Sequence, residues 1–276
     1  VLRFSFAQND EVVPLQFDGQ VLLDAAPGGL RGQVNLLGDK PIDIVGGAAR
    51  PKAGAIEVSA DMLNAFRADT LAIGGIYIYF NGQDSSGDSA RIYFGNGLGA
   101  GLVNVRDGAT LRAGQIFLIG NQINVDGGAV LDTRGLGRPG VDSNLGFLYA
   151  NAPGVSAASY SPAVFAVSNG WLDFLPALGT GTVTVSDGAT VLSEGTIAFA
   201  APGGLALGDV NLGARYLTVA QDQINIGTAA SMAAAQAAGS MQAGWQLTQA
   251  TLDRLLRPSA NAGVPALERL SLTAGG

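Results

Sequence analysis

Acidic side chains are the first candidates for chemistry in this chain, and four aspartates, Asp18, Asp107, Asp126 and Asp187, stand immediately before glycine. Two carboxylates roughly 5 to 10 Å apart can cleave a glycosidic bond, and a polysaccharide lyase combines acidic Ca²⁺ ligands with a Lys or Arg base. Glutamate, however, occurs only as Glu11, Glu57, Glu194 and Glu268, and no cluster of acids recurs from one repeat to the next. Aspartate hydrogen-bonds nearby backbone and glycine accepts the positive φ of a tight bend, so the Asp-Gly pairs read as corners, not catalysts. Asp84 and Asp88 could share a Ca²⁺, but two carboxylates in a Gly/Ser stretch read more simply as solvated. We assign no metal site and no catalytic residue.

Histidine and cysteine are both absent. A Ser-His-Asp triad is therefore impossible, and thiolate nucleophiles, disulfides and Cys-ligated metal are removed with it. The run Gly95, Gly97, Gly99, Gly101 lacks the spacing of a dinucleotide loop, and strand-like Leu102 to Val105 follows where a helix would be needed. No cofactor is expected. Three aromatic residues, Tyr149, Tyr160 and Trp171, are candidates for stacking on sugars. With Phe147, Phe165 and Phe174 they could equally form a satellite core that holds down the stretch 134–180.

The elements that must position these residues are mostly strands. Only 13% of residues are charged and 41 are glycine, a composition short of the Glu, Lys and Arg of helical surfaces. A formal charge of −7 argues against nucleic acid and anionic membrane, and the longest apolar blocks are strand-sized. Apolar-polar-apolar triplets recur as Val34-Asn35-Leu36, Val103-Asn104-Val105, Ile123-Asn124-Val125, Val183-Thr184-Val185, Val210-Asn211-Leu212 and Ile224-Asn225-Ile226. Side chains alternate faces on a strand, so each triplet is expected to bury its outer members and expose its centre.

Corners at Asp107-Gly108-Ala109, Gly127-Gly128-Ala129 and Asp187-Gly188-Ala189 follow three of the triplets, and "AAPGGL" at Ala25 to Leu30 returns at Ala200 to Leu205. Short strands returning after about twenty residues are what a stacked solenoid requires, with strands about 4.8 Å apart in parallel sheets. The expected fold is all-β, a parallel β-helix spanning 1–276 as a segment of a longer chain. A β-sandwich is the alternative. The frames of the leucine-rich repeat and the Ca²⁺-binding nonapeptide are both missing.

Three stretches depart from the repeat. Residues 59–69 place Met62, Leu63 and Phe66 on one helical face, and residues 229–257 read as a short helical segment with Leu252, Leu255 and Leu256 as a buried stripe. The third, 134–180, reads as a long loop excursion.

The phrases "ADMLNAFRADTLAIGG" (Ala60 to Gly75), "PAVFAVSNG" (Pro162 to Gly170), "GLALGDVNLGARYLTV" (Gly204 to Val219) and "LDRLLRPSANAGVPALERLSLTA" (Leu252 to Ala274) resemble a downstream region of filamentous haemagglutinin-family exoproteins. That resemblance implies a right-handed parallel β-helix shaft, exported through the bacterial outer membrane by a partner barrel in two-partner secretion. It further implies a secreted or cell-surface location and a role in adhesion, biofilm formation, virulence or toxin delivery. A host-cell or cell-surface receptor or glycan would be the partner, with lateral self-association possible. No catalytic residue is carried over, and the chain has no Arg-Gly-Asp tripeptide. A structural shaft is the expected function. A carbohydrate-binding module using Tyr149, Tyr160 and Trp171 is the alternative, ahead of a polysaccharide-cleaving enzyme.

Overall fold

The computed structural model describes residues 2–6, 32–38, 40–50, 52–81, 90–95, 101–137, 147–149, 162–174, 179–242, 244–256 and 263–275. From the N-terminus, β1 (Leu2–Phe6), β2 (Gln33–Gly38), β3 (Ile42–Val45) and β4 (Ile56–Ser59) precede helix α1 (Ala60–Ala65). After β5 (Thr70–Ile73) come β6 (Ile76–Asn81) and β7 (Ala90–Gly95), then β8 (Leu102–Val105), β9 (Thr110–Arg112), β10 (Gln115–Gly120), β11 (Gln122–Val125) and β12 (Val130–Asp132). β13 (Phe147–Tyr149), β14 (Ala163–Ser168) and β15 (Asp173–Phe174) lead to β16 (Thr182–Val185), β17 (Thr190–Leu192) and β18 (Thr196–Ala200). β19 (Gly204–Leu207), β20 (Asn211–Gly213), β21 (Tyr216–Gln221) and β22 (Ile224–Ile226) follow. The last elements are α2 (Ala229–Ala237), β23 (Trp245–Leu247), α3 (Gln249–Leu255) and β24 (Arg269–Ala274).

The fold is all-β in character, with few helices and mostly parallel sheets. An eight-stranded sheet runs β1-β2-β5-β10-β14-β18-β21-β24, a six-stranded sheet runs β19-β16-β11-β8-β3-β4, and a four-stranded sheet runs β20-β17-β12-β9. The chain passes through these three in turn: β10, β11, β12, and later β18, β19, β20. Each pass lands in register beside another. Ile123 pairs in parallel with Val103 on one side and Val183 on the other, and Leu131 likewise with Leu111 and Val191. The twenty-residue interval between Asn104 and Asn124 is thus a pairing distance in the sheet.

One pass is reversed. β14 occupies the place between β10 and β18 but runs antiparallel to both, with Phe165 opposite Leu118 and Phe199. The stretch 134–180, expected as a loop excursion, therefore contributes a central strand as well as β13 and β15. Its "PAVFAVS" residues are buried throughout, because they fill a place that the repeat leaves for them.

Most of these strands share one core. Val103, Ile123 and Val183 of the six-stranded sheet, Leu111, Leu131 and Val191 of the four-stranded sheet, and Ile116, Leu118, Phe165, Ile197 and Phe199 of the eight-stranded sheet all belong to it. Phe165 stacks on Phe199 with ring centroids 4.6 Å apart. Each such side chain contributes roughly 1.5 to 3 kcal/mol when fully buried. A second cluster lies on the other face of the eight-stranded sheet: Ala72, Phe117, Ile119, Val164, Ala166, Ala198, Ala200 and Ala220, with Leu172. Successive residues of β10, β14 and β18 therefore alternate between two cores, and the strands read as unbroken apolar runs. A further four-stranded sheet, β15-β13-β7-β6, flanks this region: β6 lies against β2 and β5, and β15 against β18 and β21.

Corners between the six-stranded and four-stranded sheets close as β-turns. The Ala109, Ala129 and Ala189 amides donate to the carbonyls of Arg106, Asp126 and Ser186, and Gly108, Gly128 and Gly188 at the third position have φ of 75°, 78° and 83°. Positive φ there alone marks a type II turn, which selects glycine. The three alanines that follow are fully buried, as the small size of the residue anticipates.

Other expectations need correction. The centres of the first two triplets, Asn35 and Asn104, are buried and not exposed, because one lies on the covered face of the eight-stranded sheet and the other under a cluster of charged side chains. Ile226, an outer member of its triplet, is exposed, since β22 leaves the repeat and pairs with β23. In 229–257 the helical segment is split by β23, and of the expected leucine stripe Leu255 is buried, Leu252 is half-buried and Leu256 faces solvent. Helix α1 does seat Leu63 and Phe66 in the main core, with Met62 packed against it. Asp18, the "AAPGGL" at Ala25 to Leu30, and Asp84 and Asp88 lie outside the described residues.

Candidate functional site

The residues predicted to bind sugar are only partly described. Tyr149 is in β13, where the backbone alone is described, and Tyr160 lies outside the described residues. Trp171 sits between β14 and β15, half-buried, and the Arg269 guanidinium of β24 lies over its ring at 5.6 Å from the centroid. At that distance a cation is attracted to the ring face. One face of the indole is thus engaged by the protein's own side chain, and the contact ties the residue after β14 to the last strand of the same sheet.

Two of the corner aspartates are engaged by neighbouring corners. Asp187 accepts from the Asp209 amide at 2.7 Å, joining one corner to the bend of the next pass. Asp126 lies 3.6 Å from Arg106 across the turn stack. Among the described residues no group of three or more acids is gathered as a metal would require.

Two polar constellations were not foreseen. The first surrounds Asp43, at the centre of β3 and only 1% exposed. Asn104 Nδ2 donates to its Oδ1 at 2.6 Å, Arg106 Nη2 to the same oxygen at 2.7 Å, and Lys52 Nζ to its Oδ2. Asn124 Nδ2 then donates to Asn104 Oδ1 at 2.9 Å, so the polar centres of three neighbouring strands form a ladder. Burial pushes the Asp43 carboxyl up, but the hydrogen bonds from Lys52, Asn104 and Arg106 and the charge of Arg106 outweigh it and leave the group below its ordinary value. A buried carboxylate held ionised between two cations is a poor proton donor or acceptor for a substrate. Its effect here is to clamp the segment after β3 onto the sheet.

The second constellation closes the end of the reversed strand. Asn169 follows β14; its Oδ1 accepts from Thr133 Oγ1 at 2.7 Å and from the Glu194 amide at 3.2 Å, and its Nδ2 donates to the Thr133 and Gly137 carbonyls. Ser193 Oγ donates to the Ser168 carbonyl at 2.6 Å, and Gln115 Nε2 donates to Ser168 Oγ at 2.9 Å. Thr196 Oγ1 donates to the Gly170 carbonyl and accepts from the Leu172 amide. Thr133, Ser168, Ser193 and Thr196 are fully buried. Their hydroxyls are spent on backbone and on one another, so they satisfy the polar groups freed where β14 turns out of the sheet. Beside them, burial pushes the Asp132 carboxyl up, but hydrogen bonds from the Arg134 side chain and backbone and the charges of Arg134 and Arg112 outweigh it, and the group lies below its ordinary value.

A signal for the first constellation was present in the sequence, in the Asn repeated at the centre of successive triplets; Asp43 itself stands sixty-one residues from Asn104 and gave none. For the second there was no local signal, because its members come from four separate segments, at Gln115, Thr133 to Gly137, Ser168 to Leu172 and Ser193 to Thr196. No family model, curated protein or solved structure matches this chain.

Proposed function

We propose that this chain is a segment of a right-handed parallel β-helix that forms the shaft of a secreted or surface-exposed bacterial filamentous adhesin. The observation that carries the reading is the parallel ladder in which Val103, Ile123 and Val183 pair side by side over one shared core. A chain that returns to the same three sheets after each pass lengthens by one strand spacing per turn, and its internal strands leave no free edges along the sides. The haemagglutinin-like phrases support the same assignment. Export through an outer-membrane barrel and contact with a host or cell-surface receptor follow from it. The shaft has no catalytic part: it sets the distance between a cell and a binding tip, and thereby supports adhesion and biofilm formation. The half-buried Trp171, with Arg269 on its ring, favours this over a sugar-stacking module built on Tyr149, Tyr160 and Trp171.

Replacement of the segment within its parent polypeptide by an unrelated solenoid of equal length tests the reading. A shaft keeps its adhesion and biofilm phenotype after the exchange. Loss of adhesion with secretion intact would show that the segment itself recognises the receptor. Small-angle scattering from the isolated chain is expected to report an elongated particle, and a compact sphere would overturn the fold on which the function rests.

A further inference from the structure

We propose that Asn169-Gly170 is a deamidation site held latent by the seat of β14, so that an opening of this strand's end is recorded irreversibly as a new carboxylate. An Asn-Gly pair carries its own reagents. The glycine backbone nitrogen attacks the asparagine Cγ, ammonia leaves, and water then opens the resulting succinimide to aspartate or isoaspartate. Glycine has no side chain to hinder the ring closure. The chain holds three such pairs, Asn81-Gly82, Asn96-Gly97 and Asn169-Gly170, and the last directly follows the reversed strand.

Four features of the fold hold that chemistry back. The nucleophile is occupied, since the Gly170 amide donates to Ser168 Oγ at 3.0 Å. The electrophile is fixed: the Asn169 carboxamide accepts from Thr133 Oγ1 and the Glu194 amide and donates to the Thr133 and Gly137 carbonyls, which prevents it from turning its Cγ toward Gly170. Water is scarce, because Asn169 is only 8% exposed. The backbone is pinned as well. A Cβ at Gly195 would lie 2.5 Å from both the Asn169 carbonyl carbon and the Gly170 carbonyl oxygen, so Gly195 sits directly against the pair.

All four are lost together when the end of β14 lifts, and the product does not fit back. Asn169 Nδ2 donates to two carbonyls, and an oxygen in its place would press a buried negative charge against both. Isoaspartate adds a methylene to the main chain and displaces the Gly170 carbonyl from Thr196 Oγ1, its donor at 2.8 Å. Deamidation therefore turns a reversible opening into a permanent one. Because β14 joins β10 to β18, its release parts the eight-stranded sheet in the middle, while the parallel pairings of β11 with β16 and of β12 with β17 remain. The proposal does not rest on the shaft reading, since it needs only these pairings.

The test is peptide mapping by mass spectrometry of the whole chain kept at mildly alkaline pH, folded and in urea, where each deamidation adds about one mass unit. In urea Asn169 is expected to react alongside Asn81 and Asn96, and in the folded chain at least about tenfold more slowly than in urea. Equal rates in the two states, or no reaction at Asn169 in urea, overturns the proposal. Thr133→Val removes one hydroxyl from the carboxamide and is expected to speed the folded-state reaction a few-fold, with hydrogen exchange at Thr182–Val185 unchanged as the check that the fold is kept. If that check fails, Ser193→Ala, which frees the Ser168 carbonyl, is read in the same way; an unchanged rate ends the proposal. Asn169→Asp supplies the product directly, and exchange at Ala163–Ser168 is expected to quicken about tenfold or more with Thr182–Val185 again unchanged. Equal quickening in both stretches, or none in either, overturns the local latch, and the rates in the unsubstituted chain need no variant to decide the rest.

Discussion

The eight-stranded and six-stranded sheets are laid down by the same passes of the chain, yet one is covered on both faces and the other on one. In β10 and β14 every residue is buried, whereas in β16 burial alternates along Thr182–Val185. The alternation is not lost in the first pair: Ile116 and Leu118 face the main core while Phe117 and Ile119 face the second. The difference teaches that strand period is a property of both sheets, and that it becomes visible in hydropathy only where one face meets water. It also explains the alanines. Ala72, Ala166, Ala198 and Ala220 on the second face leave room for close approach by the flanking sheet.

The comparison is most severely tested at its centre. Phe165→Ala empties a site in the eight-stranded sheet stacked on Phe199 and is expected to lower stability by about 3–5 kcal/mol, whereas Thr184→Ala on the outward face of the six-stranded sheet is expected to stay within about 0.5 kcal/mol. Urea unfolding of both variants measures it, and equal losses would break the distinction. Next in size is a pair of enlargements. Ala198→Leu forces extra volume into the second core, at about 1–3 kcal/mol, while Thr184→Leu points away from the main core and is expected to be nearly neutral. Similar melting shifts for the two would show that the flanking sheet is not a packed cover.

The corners sharpen the comparison at a smaller scale. Gly108→Ala and Gly128→Ala both place a side chain at positive φ, at roughly 1–2 kcal/mol each. A Cβ at Gly108 meets nothing within 4 Å, but at Gly128 it would lie 2.1 Å from Asp107 Oδ1. Gly128→Ala is therefore expected to be the more destabilising, and Asp107→Ala is expected to remove the excess in a double-mutant cycle. Additive losses would mean that neighbouring corners do not touch.

The smallest effect is the part of the acid dependence that comes from the one-sided sheet. The Asp43 carboxyl lies below its ordinary value in the folded chain, so the folded state binds that proton less readily than the unfolded state. Its stabilisation is fully present above the unfolded value of about 4 and is lost as pH falls through the lower folded value. Asp43→Asn is expected to flatten the fall in stability below about pH 4 in thermal melts, leaving the neutral-pH slope unchanged. An unaltered acid limb would remove Asp43 as its source.

Much of this architecture was legible residue by residue. The corners were readable because Gly108 and Gly188 stand where the backbone requires positive φ and Ala109 and Ala189 where no larger side chain fits. Helix α1 was readable from Met62, Leu63 and Phe66. Asn104 was misread because its partner Asp43, on which Lys52 and Arg106 also converge, comes from a strand sixty-one residues away. Trp171 was noticed for its ring, but its engagement by Arg269 depends on a strand almost a hundred residues later.

By itself the amino-acid order determined where the chain bends, which residues alternate on a strand, and that twenty residues separate partners such as Val103 and Ile123. These are local matters, set by φ, by side-chain volume and by the two-residue period of extended backbone. Tertiary structure alone decided that β14 runs against its neighbours, that the eight-stranded sheet is covered twice, and that Asn169 meets Thr133 and Glu194. A strand offers its amides and carbonyls to either side in either direction with the same alternation of side chains, so direction and cover are decided by what the rest of the chain brings alongside.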